Sequence, residues 1–203
     1  MQLVGLMGFG GHSYAQADAE GIRRVARAEA QQLLEIAALL REDGFAVPEL
    51  SAGSTPTAPH EARVPGITEI RPGTYVFSDR DQVALGWGTL DDRALTLLVT
   101  VVSRPTPRRA IVDGGSKTFS ADRAARAEGW GAVRGHPEYT LPQLTEEHGI
   151  LQVPPDAHLP IGTRLEVIPN HACGALNMHD QLVAVCGEHV EEVWPVAARG
   201  HVQ

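Results

Sequence analysis

The feature that most constrains this sequence is its one strong amphipathic helix, which lies near the start and has no successor. Ile22, Val25, Ala26, Leu33, Ile36, Ala37 and Leu40 recur at spacings of three, four and seven, the pattern of residues sharing one helix face. Asp18 stands where an N-cap belongs and Gly44 where a helix stops. The apolar run Gln2–Met7 precedes this helix, and the strand-like stretches Val47–Gly53 and Ile67–Gly73 follow it. That β-loop-α-β order predicts a parallel α/β layer over residues 1–75. From Tyr75 onward the grammar changes. Short apolar runs follow one another: 82–87, 95–102, 109–113, 130–133, 149–153, 163–168, 182–186 and 190–196, separated by Gly, Pro and Asp. This spacing predicts a β-rich sandwich or barrel over residues 76–203, with Cys186–His189 as a tight hairpin turn. The first 75 residues offer about three strands, too few for a sheet that closes on itself.

Charge and composition exclude several roles. Seventeen basic residues against 25 acidic ones give a formal charge of −8, with no basic patch or tail, so neither nucleic acid nor an anionic membrane is an expected partner. The longest apolar run, Leu95–Val102, is strand-sized, well short of the roughly 18–20 residues a membrane span needs. The apolar N-terminus lacks a positive n-region and is interrupted by glycines, so it reads as strand and loop. Without a secretory signal, the two cysteines, thirteen apart, read as reduced thiols in the cytoplasm.

Five stretches carry candidate chemistry. Residues 51–57, SAGSTPT, follow a strand end. Gly53, Ser54 and Thr55 there offer backbone N–H groups and hydroxyls to a phosphate, or form an ordinary polar turn. The loop GFGGHSY puts His12 and Tyr14 beside flexible backbone, as ligand contacts or as plain surface. His171 and Cys173 are two apart, so in an extended strand both face one side. An imidazole and a thiolate together favour zinc, in an open site rather than a closed finger because no CxxC accompanies them. Packing alone also places a cysteine beside a histidine. His136, His148 and His179 are possible further donors at no telling spacing. Glu146, Glu147 and His148 form a charged cluster that supports such a site or merely solvates a turn. Lys117, the only lysine, follows the turn-like DGGS, which argues against a desolvated Schiff-base pocket.

Together GLMGFGGHSY, SAGSTPT, EIRPGTYVF, DGGSK, TEEHG, PNHAC and VEEVWPVAARG resemble the D-serine dehydratase and D-threonine aldolase family, pyridoxal-phosphate enzymes of the alanine-racemase-like fold. The matching stretches run in the family's order along the whole chain. The resemblance implies α/β plus β architecture: the C-terminal part of a (β/α)8 barrel over residues 1–75, then a D-serine dehydratase-like β domain over 76–203. It implies that Gly53, Ser54 and Thr55 hold the cofactor phosphate and that His171 and Cys173 bind zinc. The family's aldolases look to carry a carboxylate where this chain has Cys173, so His-x-Cys points to the dehydratase side. The implied reaction is loss of water from D-serine to give pyruvate and ammonia, with a small D-amino acid as substrate and a homo-oligomer or partner chain as assembly.

One departure bears on activity. The family's Schiff-base lysine lies in a segment resembling RPHxKTH, which this sequence does not contain. The expectation is a truncated gene product, a chain started at an internal Met, or one half of a split enzyme, inactive by itself. Rival expectations are a non-catalytic zinc-binding or interaction module, and a D-threonine aldolase or amino-acid racemase on the same scaffold.

Overall fold

A computed structural model describes residues 3–201. Met1 and Gln2, and with Gln2 the expected first residue of the opening strand, lie outside the described residues. The chain forms two compact units. One holds the chain up to Val76 together with Ala84–Gly88; the other holds Phe77–Val83 and everything from Thr89 onward.

In the first unit, strands β1 (Gly5–Met7), β2 (Glu49–Ala52) and β3 (Glu69–Ile70) pair in parallel in the order β1-β2-β3. Helix α1 spans Ala19–Glu42 between the first two. Asp18 caps it by accepting a 2.7 Å hydrogen bond from Gly21 N–H, and Gly44, at φ +87°, lets the chain leave. Ile22, Val25, Ala26, Leu33 and Ala37 are buried as the periodicity predicts. Ile36 is instead 48% exposed, and the acidic Glu29 takes a place on the buried face. A one-turn helix α2 (Ala58–Glu61) follows β2. Among the described residues these three strands form an open parallel layer.

A short helix, α3 (Arg80–Ala84), forms where an apolar run suggested a strand. Asp79 explains the difference: its carboxylate accepts from Gln82 N–H at 2.9 Å, and its carbonyl accepts from Val83 N–H. Then come β4 (Leu97–Thr106), β5 (Arg109–Val112), helix α4 (Ser116–Phe119), β6 (Gly131–Val133), β7 (Thr140–Leu144), β8 (Gly149–Gln152), β9 (Arg164–Pro169), helix α5 (Ala172–Leu176), β10 (Gln181–Cys186) and β11 (His189–Pro195). Six strands form one antiparallel sheet in the order β6-β9-β4-β5-β8-β7. A hydrogen bond from Trp130 N–H, beside β6, to the Leu141 carbonyl of β7 brings its two ends together, so the sheet is nearly closed. Alternation decides its faces: Leu97, Val99 and Val101 are buried while Leu98 is exposed. Their partners inside include Val112, Phe119, Leu141, Leu151 and Val167. β10 and β11 pair through the turn at Gly187 and Glu188, leaving Val183, Val185, Val190, Val193 and Trp194 exposed.

Candidate functional site

The loops after β1 and β2 leave the same end of the parallel layer, where α/β folds bind ligands. The structure ties them together. Gly8 N–H donates to the Ser51 carbonyl at 2.9 Å, and Arg71 reaches both Ser51 Oγ, at 2.8 Å, and the Gly8 carbonyl. A 3₁₀ turn over Gly11–Ala15 holds His12, exposed, and Tyr14, half-buried.

Residues 53–57 are buried. Gly53 sits at φ +108°, a conformation that favours glycine, and a β-carbon there would lie 2.7 Å from Glu61 Oε2. The Gly53 N–H donates to Glu29 Oε1 at 3.0 Å. Ser54 N–H donates to Thr57 Oγ1, whose hydroxyl also contacts Ser54 Oγ, both at 3.0 Å. Thr55 Oγ1 accepts from Tyr75 N–H at 3.2 Å, which leaves its own proton to donate.

Beneath this loop lie two buried carboxyl groups that the sequence reading did not single out. Glu29 is 8% exposed and Glu61 is fully buried. Burial pushes the Glu61 carboxyl up to about 8, and the neighbouring Glu29 adds to the effect. Glu61 is therefore neutral at pH 7.

The second candidate centre lies in the other unit. The chain leaves β9 at Pro169 and turns at His171, the N-cap of α5, so Cys173 belongs to a helix. The two side chains are not successive positions on one strand face, as their spacing suggested, yet they meet: Cys173 hydrogen-bonds the imidazole. Cys173 is exposed, and the His171 side chain is 35% exposed. On its other side, His171 Nδ1 lies 3.4 Å from Oδ2 of the fully buried Asp79. That same oxygen accepts from Ala172 N–H at 2.9 Å. The hydrogen bond to Asp79, then that to Cys173, raises His171 to about 10 against the opposing effect of burial. Asp81, in α3, is raised chiefly by burial.

Neighbouring residues hold this turn in place. Buried Asn170 donates to the carbonyls of Asp122 and Gly129 at 3.1 and 3.0 Å, and its own carbonyl accepts from Asp81 N–H. Gly174 is needed for a close approach, because a β-carbon there would lie 2.0 Å from Asp122 Oδ2.

The other expected donors go elsewhere. His136 stacks on Tyr139 and meets Glu138, His148 belongs to the turn beginning at Thr145, and His179 Nε2 contacts the Thr118 carbonyl. Among the described residues no three His, Cys, Asp or Glu side chains form a metal-binding group. Lys117 is 60% exposed and paired with Glu146 and Glu147 at 3.2 and 2.6 Å, which raises its proton affinity. That is the reverse of what an imine-forming amine requires. Neither cysteine forms a disulfide, and no helix among the described residues is long and apolar enough to cross a membrane.

Loops at the strand ends of a parallel layer, and a His–Cys pair at the turn that leaves β9 of a nearly closed antiparallel sheet, define a mixed α/β protein with two candidate binding centres. Residues 94–185 match the family described as "Putative serine dehydratase domain". The chain is 34% identical over 203 residues to a D-threonine aldolase of an Arthrobacter species, which covers 98% of this chain and 52% of that protein. It is 41% identical over 130 residues to an uncharacterized protein of Mycobacterium tuberculosis, covering 62% of this chain and 98% of that one. The solved D-threo-3-hydroxyaspartate dehydratase from Delftia sp. HT23 superposes with a TM-score of 0.89 at 33% identity, over 96% of this chain and 56% of that one. Solved variants of that dehydratase include a cysteine-to-alanine form that is metal-free and a histidine-to-alanine form, the two substituted positions being two apart. The chain belongs to the D-amino-acid dehydratase and aldolase family of alanine-racemase-like, fold-type III pyridoxal-phosphate proteins. It spans about half the length of the Arthrobacter and Delftia relatives.

Proposed function

We propose that the chain carries the metal centre and the phosphate loop of a lyase acting on D-amino acids with a hydroxyl on the β-carbon. One observation carries this reading: His171 and Cys173 lie side by side and open to solvent, with a buried carboxylate behind the imidazole. The relatives support the substrate class, since threonine and 3-hydroxyaspartate both carry that hydroxyl. The spacing of the two Delftia substitutions, one of them giving a metal-free form, is also the spacing of His171 and Cys173.

The donor set fits a zinc ion. Imidazole and thiolate are its preferred ligands, and two protein donors leave positions for water and a substrate hydroxyl. Bound there, zinc supplies Lewis acidity. Within the protein, Asp79 Oδ2 lies 3.4 Å from Nδ1 of His171, and Asn170 and Gly174 fix the turn that brings Cys173 alongside.

The phosphate of pyridoxal phosphate would be held by Ser54 and by Thr55, whose hydroxyl proton is free to donate. Gly53 shapes the turn but gives its N–H to Glu29. Glu61, being neutral, adds no charge against an anion there. Bound, the cofactor supplies the electron sink that acidifies the α-carbon. No lysine of this sequence suits the covalent anchor, because Lys117 is exposed and ion-paired. Turnover therefore needs a polypeptide segment carrying that lysine.

The dehydratase outcome, pyruvate and ammonia from D-serine or the corresponding loss of water from 3-hydroxyaspartate, is supported by the spacing that His171 and Cys173 share with the two substituted positions of the Delftia dehydratase. Aldol cleavage is the second reading, favoured by 34% identity to D-threonine aldolase along nearly the whole chain. Elemental analysis of protein purified without added metal tests the metal centre: stoichiometric zinc, lost in Cys173→Ser, is expected. Absent zinc, or equal zinc in both, refutes it. Supplying the lysine-bearing segment and assaying keto-acid against glycine formation separates dehydration from cleavage.

A further inference from the structure

The carboxylate behind His171 comes from a distant part of the sequence and is not among the expected site residues. Asp79 is fully buried, and each of its oxygens has an assigned place. Oδ1 accepts from Gln82 N–H at 2.9 Å, which starts α3. Oδ2 accepts from Ala172 N–H at 2.9 Å, at the first turn of α5, and faces His171 Nδ1 at 3.4 Å. Two backbone donors therefore fix the carboxylate, and the fixed carboxylate fixes the ring. A metal-ligating imidazole has two nitrogens, and the proton on one decides which is left to donate.

We propose that Asp79 is a positioning residue for the metal centre: it holds the proton on Nδ1 of His171, so that Nε2 is the nitrogen presented, together with Cys173, to the metal. This rests on the reading of His171 and Cys173 as metal ligands. It assigns Asp79 to the support of the site rather than to the ligand set, in keeping with the absence of a three-donor group among the described residues.

The test compares the unsubstituted protein, Asp79→Asn, His171→Ala and Cys173→Ser. Zinc affinity is measured by competition with a chromophoric chelator, and thermal unfolding is followed in parallel. The unsubstituted protein, labelled with nitrogen-15 and loaded with cadmium-113, then reports by metal–nitrogen coupling which ring nitrogen is bound. The expected results are coupling to Nε2, and zinc affinity reduced about 10–100-fold in Asp79→Asn. Loss of zinc in His171→Ala and Cys173→Ser with Asp79→Asn within twofold of the parent overturns the role of Asp79 and leaves the metal site standing. Coupling to Nδ1 in the unsubstituted protein overturns it without any variant, so the test holds even if Asp79→Asn fails to fold. Absence of zinc binding in the parent removes the metal reading, and this inference with it.

Discussion

Replacing Glu61 with glutamine tests the buried carboxyl pair directly. Glu61 is fully buried and its carboxyl is raised from an ordinary value of 4.5 to about 8, first by burial and then by Glu29. A carboxyl raised in the folded state binds its proton more tightly folded than unfolded. Its contribution to stability is complete below about 4.5 and is lost as pH rises toward 8. At about 1.4 kcal/mol per tenfold change in proton affinity, the full shift corresponds to roughly 4–5 kcal/mol. The charge of Glu29 contributes part of that shift and is present in both proteins, so about half that amplitude, about 2–3 kcal/mol, is the expectation. Glutamine is neutral at every pH and nearly the same shape. Between pH 5 and pH 8.5 the unsubstituted protein should lose about 2–3 kcal/mol relative to Glu61→Gln. Other groups titrating in that window, the histidines above all, are common to both proteins and cancel. The assay is urea unfolding followed by helical ellipticity, which reports mainly α1 and hence the unit containing Glu61. Parallel stability curves across this window would refute the claim that Glu61 is protonated in the native state.

Gly174→Ala should destabilise the second unit by about 1–3 kcal/mol in chemical denaturation, because the added methyl meets Asp122 Oδ2 at 2.0 Å. Asn170→Ala removes three part-buried side-chain hydrogen bonds and should cost about 1–3 kcal/mol in the same assay, with weaker zinc binding as a second readout. Borohydride reduction in the presence of pyridoxal phosphate should leave no stoichiometric adduct at Lys117; peptide mass mapping checks this, and a complete adduct would overturn the reading of that lysine as an exposed ion-paired cation. Thr55→Val should narrow the preference for pyridoxal phosphate over pyridoxal in a binding titration, and an unchanged preference would remove Thr55 from the phosphate loop.

Where local rules governed, the sequence was readable. The stripe on α1, its Asp18 cap and the turn after Cys186 follow from periodicity and cap chemistry, and the structure has them. The reading failed where a distant partner decided the outcome. Residues 82–87 are apolar enough for a strand, but Asp79 starts a helix just before them. Strand β7, TLPQL, carries Pro142 in a short run with only two apolar leucines, so no strand stands out there in the sequence. Glu29 is invisible to a hydrophobic pattern, since only the folded loop at Gly53 supplies its hydrogen-bond donor. At His171 and Cys173, the closeness of the two side chains is legible in their spacing and the helical backbone at Cys173 is not. Asp79 could not be found by spacing at all, because nothing local links it to His171.

That long connection has a consequence for how this protein can be divided. Residues 77–83 pack with the second unit while 84–88 return to the first, so no single cut of the chain separates the two cleanly. The family match begins at residue 94, after Asp79 and Arg80. A fragment trimmed to that match keeps the imidazole and the thiol but leaves their carboxylate on the discarded piece. Recombination that exchanged this β domain between relatives would meet the same constraint: a breakpoint placed before residue 77 transfers a complete centre, and one placed at the family boundary transfers a broken one.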